Sequence, residues 1–118
     1  MSHSSDLLEQ PGVIAAGLYS RKYLLREMEG PFSSDEGSKI AALCSVTTQI
    51  MEKQGLLLSR ISGKHDWENC TGWIMWGNEI SVVTVGESMC VVKNQNTSFN
   101  KLVSVMKEAL DTVEVRQR

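Results

Sequence analysis

The sequence predicts an α+β fold, an α/β/α sandwich in the order αββαβββα. One long central helix lies over a five-stranded, mostly antiparallel sheet. Three observations carry that prediction. The stretch from Ser33 to Gly63 keeps helical periodicity from end to end. Short β-branched and aromatic runs are separated by turns rich in Gly, Asn and Pro. In the later runs neighbouring residues are both apolar: Trp73 and Met75 point one way, Ile74 and Trp76 the other, and Val82 and Val83 oppose each other. A strand has period two, so both sheet faces are greasy and both need cover.

In chain order, Ser4 or Ser5 caps a short helix that runs to about Gln10, and Pro11-Gly12 ends it. Val13 to Ser20 and Tyr23 to Met28 form a hairpin about Arg21-Lys22, and Glu29-Gly30-Pro31 turns the chain. Ser33 and Glu36 then have capping-box spacing, a hydroxyl for an orphan N–H and a carboxylate reaching back. The helix they open carries Ile40, Leu43, Cys44, Ile50, Met51, Leu57, Leu58 and Ile61 on one stripe, with Thr47 and Gln54 in register. Gly63 is its C-cap. At about 1.5 Å per residue it spans about 40 Å, whereas a compact domain of this length is about 35 Å across.

A polar link, Lys64 to Asn69, leads into a three-strand meander of Cys70–Trp76, Ile80–Val85 and Ser88–Lys93. Its turns are Gly77-Asn78 and Gly86-Glu87, ordinary hairpin chemistry. Asn94 to Asn96 is a loop. Thr97 or Ser98 caps a last helix bearing Phe99, Leu102, Val103, Met106, Leu110 and Val113, with fraying expected from Val115 to Arg118.

The two flanking helices cover one sheet face, which leaves the long helix alone on the other. A helix is about 10 Å wide and five strands roughly 20 Å. A second copy of the helix, from a partner subunit, closes the gap.

The chain has 118 residues, 42% hydrophobic and 22% charged, so one globular domain (1–118, core about 6–112) is expected. A net charge of −2 from interspersed signs argues against nucleic acid or an anionic membrane as partner. No apolar run approaches the ~18 residues of a membrane span, and the first residues lack a signal peptide's basic and apolar regions. Three cysteines, Cys44, Cys70 and Cys90, are too few and too far apart for a disulfide framework. A cytoplasmic protein is expected.

Chemistry-bearing patterns are sparse. Cys44 and Cys90 fall on apolar positions and read as small buried hydrophobes. Cys70 lies beside His65, Asp66, Glu68 and Asn69, the only polar cluster suited to chemistry, but the acids oppose a thiolate and no zinc spacing is matched. The glycines form no phosphate loop or dinucleotide fingerprint. No Ser-His-Asp set or catalytic carboxylate pair is visible. No cofactor, metal or catalytic residue is therefore expected. Among the tryptophans, Trp73 reads first as core, Trp76 as a rim residue and Trp67 as solvent-facing.

Glu9-Gln-Pro-Gly-Val-Ile-Ala-Ala-Gly-Leu-Tyr-Ser20 resembles the opening strand of the Roadblock/LC7 family, a relative of the profilin-like folds. Cys70-Thr-Gly-Trp-Ile-Met-Trp76 and Ile80-Ser-Val-Val-Thr-Val85 resemble its central strands. Cys44 in the long helix and Gly72-Trp73 in a strand are similar to a small prokaryotic group within it. The resemblance implies a homodimer with antiparallel long helices and the strand after each pairing across the two-fold axis. It implies a scaffold or regulator without enzymatic activity, presenting a surface to another protein, a small GTPase or a multiprotein complex. Residues expected at the dimer interface are Leu43, Thr47, Ile50, Met51, Leu58, Trp73 and Met75. Trp67, Cys70 and Trp76 are expected partner or ligand contacts. The alternative is a small-molecule-binding or thiol-linked accessory of a metabolic, sulfur-related enzyme system, using the Trp67–Cys70 segment and a pocket between sheet and helix.

Overall fold

The computed structural model describes residues 3–20, 22–65, 67 and 70–117, with 112–117 as backbone. Three helices, α1 (His3–Leu8), α2 (Ser34–Ser62) and α3 (Phe99–Gln117), sandwich five strands: β1 (Val13–Tyr19), β2 (Leu25–Glu29), β3 (Gly72–Trp76), β4 (Ile80–Val85) and β5 (Ser88–Lys93). Asn94–Asn96, expected as a loop, is one turn of 3-10 helix. The last helix runs to Gln117.

The sheet order is β2-β1-β5-β4-β3, with every neighbouring pair antiparallel. The β1-β2 hairpin and the β3-β4-β5 meander join through β1 and β5. β3 is therefore an edge strand, and among the described residues no strand pairs with its outer side. The first hairpin departs from simple alternation. Tyr23 adopts φ 70, unusual for a residue with a Cβ, and the ladder shifts register between Leu18 and Tyr19.

One core lies between the sheet and the pair α1 and α3: Leu7, Ala16, Val83, Val85, Cys90, Val92, Leu102 and Met106. The other lies under α2 and holds Tyr19, Ala41, Cys44, Trp73 and Met89. α2 opens with the expected capping box. Ser33 Oγ accepts from the Glu36 N–H at 3.1 Å, and the Ser33 N–H donates to the Glu36 carboxylate at 3.0 Å. It closes on Gly63 in the left-handed region, φ 71. α2 crosses its face alone and packs on β1, β2 and β3. The molecule measures 42 × 37 × 27 Å, so a helix of 29 residues, about 43 Å long, runs its full length.

Candidate docking face and its surroundings

α2 meets the sheet through its small residues. Gly37, Ala41, Cys44, Ser45, Thr48, Gly55 and Ser59 are its buried positions. A Cβ on Gly37 would lie 3.1 Å from the Leu25 side chain, so the helix sits close to the strands. The large apolar residues point elsewhere. Ile50 lies two positions beyond Thr48, about 160° around the helix. Leu43, Val46, Ile50, Met51, Leu57, Leu58 and Ile61 are all exposed, Ile50 by 49% and Ile61 by 73%. The stripe expected from the sequence thus divides in two. Cys44 turns inward and is fully buried with Ile40 half-buried against the same core, while Leu43, Ile50, Met51, Leu57, Leu58 and Ile61 face solvent. Thr47 is half-buried between the two faces.

The edge strand continues this apolar surface. Met75 is exposed on the α2 side, and Ile74 and Trp76 are exposed on the α3 side, Trp76 by 80%. Trp73, read first as core and also expected at the interface, packs in the chain's own core. Its indole is only 9% exposed and is committed to the chain's own core, as period two and the position of α2 require.

Thr48 holds that indole. Trp73 Nε1 donates to Thr48 Oγ1 at 2.8 Å, and Thr48 Oγ1 lies 3.0 Å from Tyr19 Oη. Tyr19 in turn donates to the Gly86 carbonyl at 3.0 Å. With that proton used, the Thr48 hydroxyl donates to Tyr19 while accepting from Trp73. Thr84 Oγ1 donates to the Trp73 carbonyl at 3.2 Å. A chain of bonds thus ties α2 to β1, β3 and the β4-β5 turn. Burial pushes the Tyr19 hydroxyl up to about 12, so it stays a donor. Sequence pattern concealed this network, because Thr48 reads as one polar residue among several on a helix.

Beyond Gly55, the chain returns over α2. A Cβ on Gly55 would fall 1.9 Å from the Trp67 carbonyl oxygen, so only glycine admits the link there. Trp67 is 52% exposed, as expected. A hollow of about 310 Å³ opens between helix and link, lined by Met51, Gln54, Gly55, Leu58, Trp67 and Cys70 among others. Cys70 is half-buried, and its thiol lies 3.5 Å from the Gly72 carbonyl. Asp66, Glu68 and Asn69 of the expected polar cluster lie outside the described residues. Cys44 and Cys90 are fully buried, and desolvation pushes both thiols up to about 12. They are inert core atoms, and Cys44 lies 3.5 Å from the Met89 sulfur. None of the three cysteines is in a disulfide.

The family described as "Uncharacterized conserved protein (DUF2173)" matches residues 4–108. The chain belongs to this family. No curated protein matches it in sequence. Among solved structures, a Roadblock/LC7 domain from Streptomyces avermitilis superposes with a TM-score of 0.80 at 16% identity, covering 98% of this chain and 94% of that one. Myxococcus xanthus MglB gives 0.69 at 16% identity over 92% and 85%. A structure described as "MglB with tetrameric arrangement" gives 0.71 at 15% identity over 91% and 79%. This DUF2173 chain therefore has the Roadblock/LC7 fold that its strands resemble.

The DUF2173 fold places little else at the docking face that could do chemistry. Among the described residues, no group of three or more His, Cys, Asp or Glu side chains is arranged to hold a metal ion. Among the described residues no helix is long and apolar enough to cross a membrane. Two features of the face were hidden by the hydrophobic stripe alone: Val46 belongs to it, and Cys44 does not. The signal that separates them is the run of small residues at Gly37, Ala41, Ser45, Thr48, Gly55 and Ser59, spaced by three, four and seven. Such a run marks the side on which a helix closely approaches its neighbour.

Proposed function

We propose that the protein is a homodimeric, non-enzymatic scaffold or regulator, working in the cytoplasm, whose paired long helices present a docking surface to another protein. The observation that carries this reading is the apolar face of α2 turned away from its own sheet. A face with this many large apolar side chains marks an interaction site on a stable domain. Leu43, Thr47, Ile50, Met51 and Leu58 contribute from the helix and Met75 from the edge strand. Trp73 supports them from beneath. The fold neighbours favour the same reading: one is a Roadblock/LC7 domain, and one has a tetrameric arrangement. The family resemblance implies a small GTPase or a multiprotein complex as the partner.

Sedimentation equilibrium tests it. Wild type should behave as a dimer, and Ile50→Asp, which sets a charge in the dry seam, should cost several kcal/mol and yield monomer or aggregate. An unchanged Ile50→Asp dimer defeats the assignment of this face. A second reading, a thiol-linked or small-molecule accessory, is favoured by one observation, the hollow beside Cys70. Alkylation of the native protein separates the two. Rapid reaction confined to Cys70 supports the accessory role, and three slow thiols support the scaffold.

A further inference from the structure

Resting on the proposed dimer, we infer its register: two β3 strands pair antiparallel about a two-fold axis at Ile74, and each Trp76 lodges in the hollow beside Gly72 of the partner subunit. The backbone sets the phase. The Gly86 N–H donates to the Thr71 carbonyl at 2.7 Å, and the Trp73 N–H donates to Thr84 Oγ1 at 3.2 Å. Those residues turn their polar groups toward β4. The alternate residues Gly72, Ile74 and Trp76 therefore turn theirs outward, where a second strand can meet them.

Full use of a strand from Gly72 to Trp76 in a two-fold pairing centres it on Ile74. Gly72 then stands opposite Trp76 of the partner subunit, and Trp73 opposite Met75 of the partner subunit. On both faces this joins unlike sizes. Beside Gly72 the surface has a hollow of about 420 Å³, lined by Ile74, Val85, Val103 and Lys107 among others. Nothing at position 72 can fill it from within, because a Cβ there would lie 2.3 Å from the Thr84 carbonyl oxygen. Trp76, on the same face, borders a hollow with Ile74 and Phe99 yet keeps its indole 80% exposed. Burying such a ring removes roughly 150–250 Å² from water, and Lys107 adds a cation beside it. On the α2 face the exposed Met75 thioether meets the edge of a buried Trp73, a favourable sulfur–aromatic contact. Moving the axis to Met75 sets Trp76 opposite Ile74 and leaves the hollow empty. Moving it to Trp73 carries Trp76 past the strand's end.

Cysteine bridging in a Cys70→Ser background tests the register. With the axis at Ile74, two Ile74→Cys residues stand about 5.5 Å apart between Cα atoms, within disulfide reach of roughly 4.4–6.8 Å. Ile74→Cys should bridge under mild oxidation and Met75→Cys should not. A shift of the axis by one residue offsets the two positions by about 6.8 Å along the strand and takes them out of reach. Trp76→Ala, folded by circular dichroism, should dimerise at least about tenfold more weakly. If the protein dimerises but Met75→Cys bridges and Ile74→Cys does not, or Trp76→Ala dimerises as tightly as wild type, the register is wrong and the dimer stands. A wild type that sediments as monomer, or as a complex only with a foreign strand on β3, overturns both.

Discussion

Thr48 shows how much one small hydroxyl decides in this core. It accepts from Trp73 Nε1 and donates to Tyr19, and it lies at the centre of the face where α2 meets the sheet. Valine matches its shape but not its polarity. In Thr48→Val, Tyr19 keeps the Gly86 carbonyl, whereas the Trp73 N–H is left buried without an acceptor. An orphaned donor costs about 1–3 kcal/mol, which should lower Tm by roughly 4–12 °C in a thermal melt. A melt within error of wild type would mean that the indole finds another acceptor. His3 governs a different condition. Its Nε2 lies 2.7 Å from Ser88 Oγ and its side chain is buried. Burial lowers its pKa below the ordinary 6.5, outweighing Glu27, the Ala109 carbonyl and Asp6, which pull it up. The folded state thus binds this proton less readily than the unfolded chain, so stability is full above about pH 6.5 and falls as pH drops below it. In His3→Gln, chemical denaturation midpoints should lose part of their decline between neutral and mildly acid pH. An identical pH slope would remove His3 from the acid response.

At the scale of the element, α2 explains both what the sequence discloses and what it conceals. Its limits are legible because capping is local chemistry: Ser33, Glu36 and Gly63 act on neighbouring backbone groups, and the helix begins and ends where they place it. The meander is legible for a similar reason, since Gly77-Asn78 and Gly86-Glu87 fix its turns. The orientation of α2 about its own axis is not local. Hydrophobic periodicity finds the greasiest stripe and assigns it to the nearest core, but here the sheet takes the small residues and the large ones stay outside. Strand alternation alone cannot say which face the chain's own helix covers, so it leaves Trp73 open between core and interface. The first hairpin likewise gives no local sign that Tyr23 takes the left-handed region or that the ladder shifts register between Leu18 and Tyr19. Gly55 is the sharpest test of this close-packed side. Alanine should favour the helix by about 1 kcal/mol from propensity alone, yet its Cβ would strike the Trp67 carbonyl. Gly55→Ala should therefore melt lower than wild type and alkylate faster at Cys70 as the link lifts. A gain in Tm would show that the link yields without cost.

At the scale of the whole molecule, the proportions of the sandwich set the problem that the proposed dimer would answer. α1 and α3 together cover one face of the five strands, and α2 alone crosses the other. The expected shortage of cover is present, but it takes a particular form. α2 packs on β1, β2 and β3, leaves Met75 and Ile80 of that face exposed, and turns further large apolar residues to its outer side. A second copy arriving antiparallel would bury both at once, extending the sheet at β3 while closing the helices over each other. Folding and association are then linked, because the dimer's contacts exist only between folded chains. Raising protein concentration should raise Tm, and the rise should follow the dimer dissociation constant measured by sedimentation. Ile50→Asp removes the seam but leaves the sheet side of α2 untouched, so its Tm should be lower and independent of concentration. If wild type also melts at one temperature from micromolar to millimolar, the outer face of α2 contributes nothing by self-association. That surface would then have to be occupied by a different protein.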